Sequence, residues 1–133
     1  MRIERDLKLT FDDVLIRPKR STLVSRSDVD LVREFKFRHT KETWAGIPIV
    51  AANMDTTGLF SIAKVLQDHK MMTCTQKFYS TREFSEAWGV GVDPGCIAVT
   101  CGSTDDSFDL LKRKMATDKR LKIICIDVAN GYR

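Results

Sequence analysis

Four short apolar runs separated by helical spacing constrain what this chain can build. Residues 47–54, 71–78, 97–101 and 122–129 read as strands. Between the first two, Leu59, Ile62, Ala63 and Leu66 recur at the i, i+3, i+4, i+7 spacing of one helix face. Ser80-Thr81-Arg82-Glu83 has the spacing of a capping box and opens a second helix. Thr104 or Asp105 caps a third, which runs through Phe108, Leu111 and Met115. A strand that returns through a helix comes back parallel by a right-handed crossover, so the four runs predict an α/β fold with every strand C-terminus on one edge. Gly89 and Gly91 lack the third glycine and the preceding strand of a dinucleotide fingerprint and read as a connecting loop.

Before Gly46 the period changes. Leu7, Leu9 and Phe11, then Val29 and Leu31, then Phe35 and Phe37 alternate as short antiparallel strands do. Residues 1–45 are therefore read as an N-terminal β extension and residues 46–133 as about the first four parallel strands of a partial TIM (β/α)8 barrel. The sequence stops in the loop after the fourth strand, which makes the chain read as the front half of an enzyme. A barrel of this class takes roughly 200 to 250 residues, against 133 here.

Composition excludes several function classes. Hydrophobic residues make up 43% and charged residues 30%, the balance of a globular domain. The net charge of +4 is spread among 22 basic and 18 acidic residues, and the basic runs lack interleaved aromatics, so no nucleic-acid partner is expected. Cys74, Cys96, Cys101 and Cys125 form no CxxC and have no ligand-spaced histidine, so no metal is expected and reduced thiols in a cytoplasmic protein are the plain reading. The N-terminus has no apolar signal region, and no run approaches the about 18 apolar residues of a membrane span.

The strand C-terminal edge gathers Asn53, Met54 and Asp55, then Gln76, Lys77 and Phe78, then Gly102, Ser103 and Thr104, then Asp127, Ala129, Asn130 and Gly131. This is the face on which barrel enzymes place their chemistry. Lys77 suits either a site or a solvated strand end. Asp127 follows an apolar run, where a carboxylate needs a cation or several donors, and backbone N–H groups would serve as well. Alternate strands share an interior layer, so Lys77 and Asp127 can face each other as a charge pair able to hold a proton for acid catalysis. Asn53 and Asp55 read as capping and turn residues, and Gly102-Ser103-Thr104 as a helix cap that would also suit an anion. His39 and His69 lie off this face, so no Cys/His catalytic pair is read here.

Several motifs carry a family resemblance: Phe11-Asp12-Asp13-Val14-Leu15, Ser25-Arg26-Ser27-Asp28-Val29, Pro48-Ile49-Val50-Ala51-Ala52-Asn53-Met54-Asp55 and Cys125-Ile126-Asp127-Val128-Ala129-Asn130-Gly131-Tyr132. In order and spacing they resemble the N-terminal part of GMP reductase, in the IMP dehydrogenase/GMP reductase family. The dehydrogenases typically have Ala-Ala-Met-Asp at the first strand and a regulatory domain inserted after the second. Here Lys77-Phe78-Tyr79-Ser80 passes directly into a helix, as in the reductases.

The resemblance implies an NADPH-dependent reductive deamination of GMP to IMP and ammonia through a covalent cysteine intermediate. It casts Lys77 and Asp127 as proton-handling residues. It places Phe78, Asp127, Val128 and Ala129 at the cofactor, and Ser25 and Arg26 at the cofactor of a neighbouring subunit in a tetramer. An arginine fork suits the extra phosphate of NADPH. The family's catalytic cysteine, its glutamate and its monovalent-cation (K+) loop fall beyond Arg133, so the isolated chain is expected to be inactive. A truncated product that binds nucleotide or assembles with full-length subunits is the alternative, with IMP dehydrogenase a further one. Gln76 stands where the family usually has His, and Phe78 where it usually has a basic residue.

Overall fold

The computed structural model describes residues 5–131. The chain divides into two compact units, Met1–Asp30 and Leu31–Arg133.

In the first unit no strand forms among the described residues. The alternation at Leu7, Leu9 and Phe11 yields extended chain and a 3-10 turn, Phe11–Asp13, with those side chains 83%, 57% and 97% exposed. A period of two gives a strand only where a hydrogen-bonding neighbour and a face to bury exist, and neither is present here. Local capping organises the segment instead. Asp13 Oδ2 accepts from the Thr10 backbone N–H at 2.9 Å, and Asp28 Oδ2 accepts from that of Ser25 at 2.9 Å.

The second unit opens with an antiparallel hairpin, β1 (Arg33–Lys36) and β2 (Thr43–Gly46), in which Phe35 faces Trp44 across the pair. The expected strand at Val29 and Leu31 is absent. Gly46 ends the hairpin against the next segment so closely that a Cβ there would strike the Lys70 carbonyl and the Trp44 ring.

Four parallel strands follow in sequence order: β3 (Val50–Ala51), β4 (Met72–Cys74), β5 (Ile97–Cys101) and β6 (Ile123–Ile126). The expected α/β sheet is thus observed. The first two strands are shorter than the apolar runs that announced them. After β3, the Thr57 and Gly58 N–H groups both turn back to the Met54 carbonyl. After β4, the Gln76 N–H leaves the ladder for the Gly58 carbonyl.

Helices α1 (Phe60–Leu66), α2 (Thr81–Gly89) and α3 (Asp105–Thr117) make the crossovers. The Ser80–Glu83 box caps α2, and Thr104 Oγ1 caps α3 by accepting from Ser107 N–H. In α1 the buried face is narrower than its spacing suggested, because Leu59 is the cap and Ile62 is exposed. Ala63 alone is fully buried there, and Phe60 supplies the bulk. Its ring stacks on Tyr79 at 4.1 Å between centroids and meets Phe84 edge-on at 5.1 Å. Phe84, Ala87, Val92, Leu111 and Leu121 close the helix-side core over Ile97, Val99 and Cys101 of β5. Strand alternation turns Ala98 and Thr100 to the other face. Among the described residues no helix is long and apolar enough to cross a membrane.

Candidate active site

The C-terminal ends of β3, β4 and β6 converge on one cavity of about 480 Å³, lined by Asn53, Met54, Asp55, Lys77, Phe78 and Asp127. Each strand delivers its residue through the turn that ends it. Gly58 makes the first turn possible: a Cβ there would lie 2.7 Å from both the Cys74 carbonyl oxygen and the Gln76 nitrogen. The second turn is fixed from inside by Gln76, whose Oε1 accepts from Phe78 N–H at 3.0 Å. The third is fixed by Asp127, whose N–H donates to the Cys101 carbonyl at 2.9 Å.

Lys77 and Asp127, expected to pair, share the cavity but form no ion pair among the described residues. Asp127 Oδ2 instead accepts a hydrogen bond from Asn53 Nδ2 at 2.9 Å. The Lys77 ammonium sits over the Phe78 ring, 5.2 Å from its centroid, a cation–π contact. Phe78 is 72% exposed and presents a flat apolar face to the cavity. Val128 and Ala129 continue the chain past β6 and do not line this cavity. Ser25 and Arg26 belong to the first unit, where Ser25 caps the turn Arg26–Asp28 by accepting from Ser27 N–H. Tyr132, the last residue of the matching motif, lies outside the described residues.

Gly102-Ser103-Thr104 turns out to be capping structure. The Gly102 N–H donates to Ser107 Oγ at 2.7 Å, and the Thr104 hydroxyl is engaged by the helix it opens. Cys74, Cys96 and Cys101 are poor nucleophiles. Burial, then the neighbouring Cys125 thiol, pushes the Cys74 thiol up to about 12. Burial, then the Asp93 carboxylate, pushes Cys96 up to about 11. Burial also raises Cys101. Among the described residues no group of three or more His, Cys, Asp and Glu could hold a metal ion.

Two contributors have roles that the sequence does not disclose. Asn53 was read as a turn residue because its partner lies 74 positions away. Lys114 stands in the basic run Lys112-Arg113-Lys114, a composition that suggests a solvated surface. It is instead 7% exposed, and its Nζ donates to the Lys77 carbonyl at 3.3 Å. Its spacing from Leu111 places it on the buried face of α3, a signal that the run of charges obscured. Burial lowers the Lys114 pKa, an effect that Glu83 partly opposes.

No family model matches the chain. Curated sequences do. The GMP reductase of Tolumonas auensis is 51% identical over 135 residues, covering 99% of this chain and 39% of its own length. Those of Klebsiella pneumoniae and Aeromonas salmonicida are 50% and 48% identical with the same coverage. The chain thus spans about two fifths of the length of the curated relatives it matches. Among solved structures, inosine 5′-monophosphate dehydrogenase from Legionella pneumophila superimposes on 93% of this chain and 36% of its own, with a TM-score of 0.61 and 23% identity, a likeness of fold. Across 99% of its residues, this chain is thus similar to about two fifths of curated GMP reductases, at 48% to 51% identity.

Proposed function

We propose that this chain forms part of an enzyme of purine salvage that reductively deaminates GMP to IMP and ammonia with NADPH. The observation that carries this reading is the meeting of Lys77 and Asp127 in one cavity at the C-terminal edge of the parallel sheet. An exposed ammonium and an exposed carboxylate there can pass a proton to a leaving amine. NADPH supplies the hydride when bound. The exposed Phe78 ring suits stacking against an aromatic ring such as nicotinamide, and Lys77 and Asp127 would face the reacting purine. Val128 and Ala129 would flank the cofactor. Ser25 and Arg26 would reach the cofactor of a neighbouring copy in a tetramer, with the guanidinium on its phosphate.

By the family resemblance, the nucleophilic thiol and the K+ site are assigned to polypeptide outside these residues, and the raised thiols of Cys74, Cys96 and Cys101 agree with that for the thiol. The cytoplasm is the proposed compartment. The test is to capture the native protein with an antibody against residues 21–37, then read its intact mass and GMP-dependent loss of NADPH absorbance. A mass more than twice 15.2 kDa with GMP-dependent oxidation is expected. A mass of 15.2 kDa without oxidation would overturn the reading.

A further inference from the structure

We propose that Asn53 is a positioning residue for Asp127, holding its carboxylate in the one orientation that serves Lys77 and the substrate; this rests on the function proposed above. Asp127 is exposed and follows an edge strand, so its side chain has no packing to fix it. Its backbone is tied to β5 through the Cys101 carbonyl, and its Oδ2 is tied to Asn53 Nδ2 at 2.9 Å. Two anchors leave Oδ1 as the oxygen without a hydrogen bond among the described residues, and Asp127 lines a cavity that Lys77 also lines.

Asn53 is itself held. It leads into the turn closed by two N–H groups on the Met54 carbonyl, and its Cα would lie 3.1 Å from a Cβ placed on Gly58. That turn is tied in turn to the backbone just before Lys77, since the Gln76 N–H donates to the Gly58 carbonyl at 3.0 Å. One rigid loop therefore sets the carboxylate and lies against the segment that carries the ammonium. The amide is the side chain this task needs. It donates to a carboxylate without adding charge, whereas an acid there would repel Asp127.

The test is a double-mutant cycle in the native protein, using GMP and NADPH. Asn53→Ala should lower kcat about tenfold with KM for GMP little changed, the scale of one hydrogen bond to a charged group. On an Asp127→Ala background the same change should have no further effect, because the residue through which Asn53 acts is gone. Asn53→Asp should be slower than Asn53→Ala at neutral pH and should recover on acidification, as the two carboxylates come to share a proton. A loss from Asn53→Ala that persists undiminished without Asp127, or a higher KM at unchanged kcat, would overturn the proposal.

An activity-independent readout separates the two failures. The ¹⁵N-labelled side-chain amide of Asn53 should change its proton shifts in Asp127→Ala if the contact forms. Unmoved shifts would overturn the positioning role whatever the activity. Shifts that move in Asp127→Ala, with a wild-type protein that does not oxidise NADPH with GMP, would keep the contact and overturn the reaction assigned to it.

Discussion

Asn53 and Asp127 follow the two outer strands of the parallel sheet, and Asn53 Nδ2 donates to Asp127 Oδ2 at 2.9 Å. Laid flat, four strands would put the outer pair about 14 Å apart, three interstrand spacings. The contact is made because the sheet curls, as barrel strands do, so residues at opposite edges face each other across the concave side. The site is in this sense a product of curvature.

The aromatic cluster under the sheet sets the stability of that curve. Phe84 is fully buried and meets Phe60, Tyr79 and Trp88. Phe84→Ala should cost about 3–5 kcal/mol, the range for deleting a buried ring. A loss of under about 1 kcal/mol by urea unfolding would show that the core closes over the space.

Gly58 couples stability to the site. In Gly58→Ala the new methyl meets backbone atoms of Cys74 and Gln76, which cannot rotate aside. A destabilisation of about 1–3 kcal/mol is expected. The Asn53 side-chain amide resonances should shift as its turn moves, and unchanged resonances would contradict the coupling.

Asp118 makes stability depend on acid. Its side chain is 5% exposed, and its pKa is lowered to about 2 by hydrogen bonds from Arg120 first and also from the Trp88 indole, against the opposing effect of burial. Because the folded value lies below the unfolded one, the stabilisation is present above about pH 4 and is lost as pH falls through about 2. Asp118→Asn should lower stability at neutral pH by about 1–2 kcal/mol after allowance for screening. Denaturant midpoints of the two forms should converge toward pH 2, and a constant gap would contradict the ion pair.

The thiols give a reactivity prediction. With the Cys74 thiol near 12 and Cys96 near 11, thiolate is scarce at neutral pH. Alkylation of both by iodoacetamide should be slow near pH 7 and rise steadily with pH. Rapid labelling of Cys74 at pH 7, followed by peptide mass mapping, would mean that its site opens.

A polypeptide of these 133 residues should self-associate. β3 and β6 are edges with no strand beyond them among the described residues, and Ile124 and Ile126 are 43% and 56% exposed. Unpaired parallel edges beside apolar surface favour association. Sedimentation showing a monodisperse monomer would refute this.

Local chemistry determined much of this protein in advance. The period of 3.6, the Ser80–Glu83 box and the five-residue run of β5 act within a turn or a strand, so α2, α3, β5 and the parallel order were legible from sequence. The edge that gathers Lys77 and Asp127 followed from that order. What tertiary structure decided were the interactions across long separations. Leu7, Leu9 and Phe11 alternate like a strand, but pairing needs a partner that the pattern cannot supply. The length of β3 was settled by its register on β4, Val50 beside Met72 and Ala51 beside Thr73, and the burial of Lys114 by the carbonyl of Lys77. The partner of Asp127 was decided by curvature: once the sheet curled, the amide of Asn53 came within hydrogen-bond distance and the Lys77 ammonium did not.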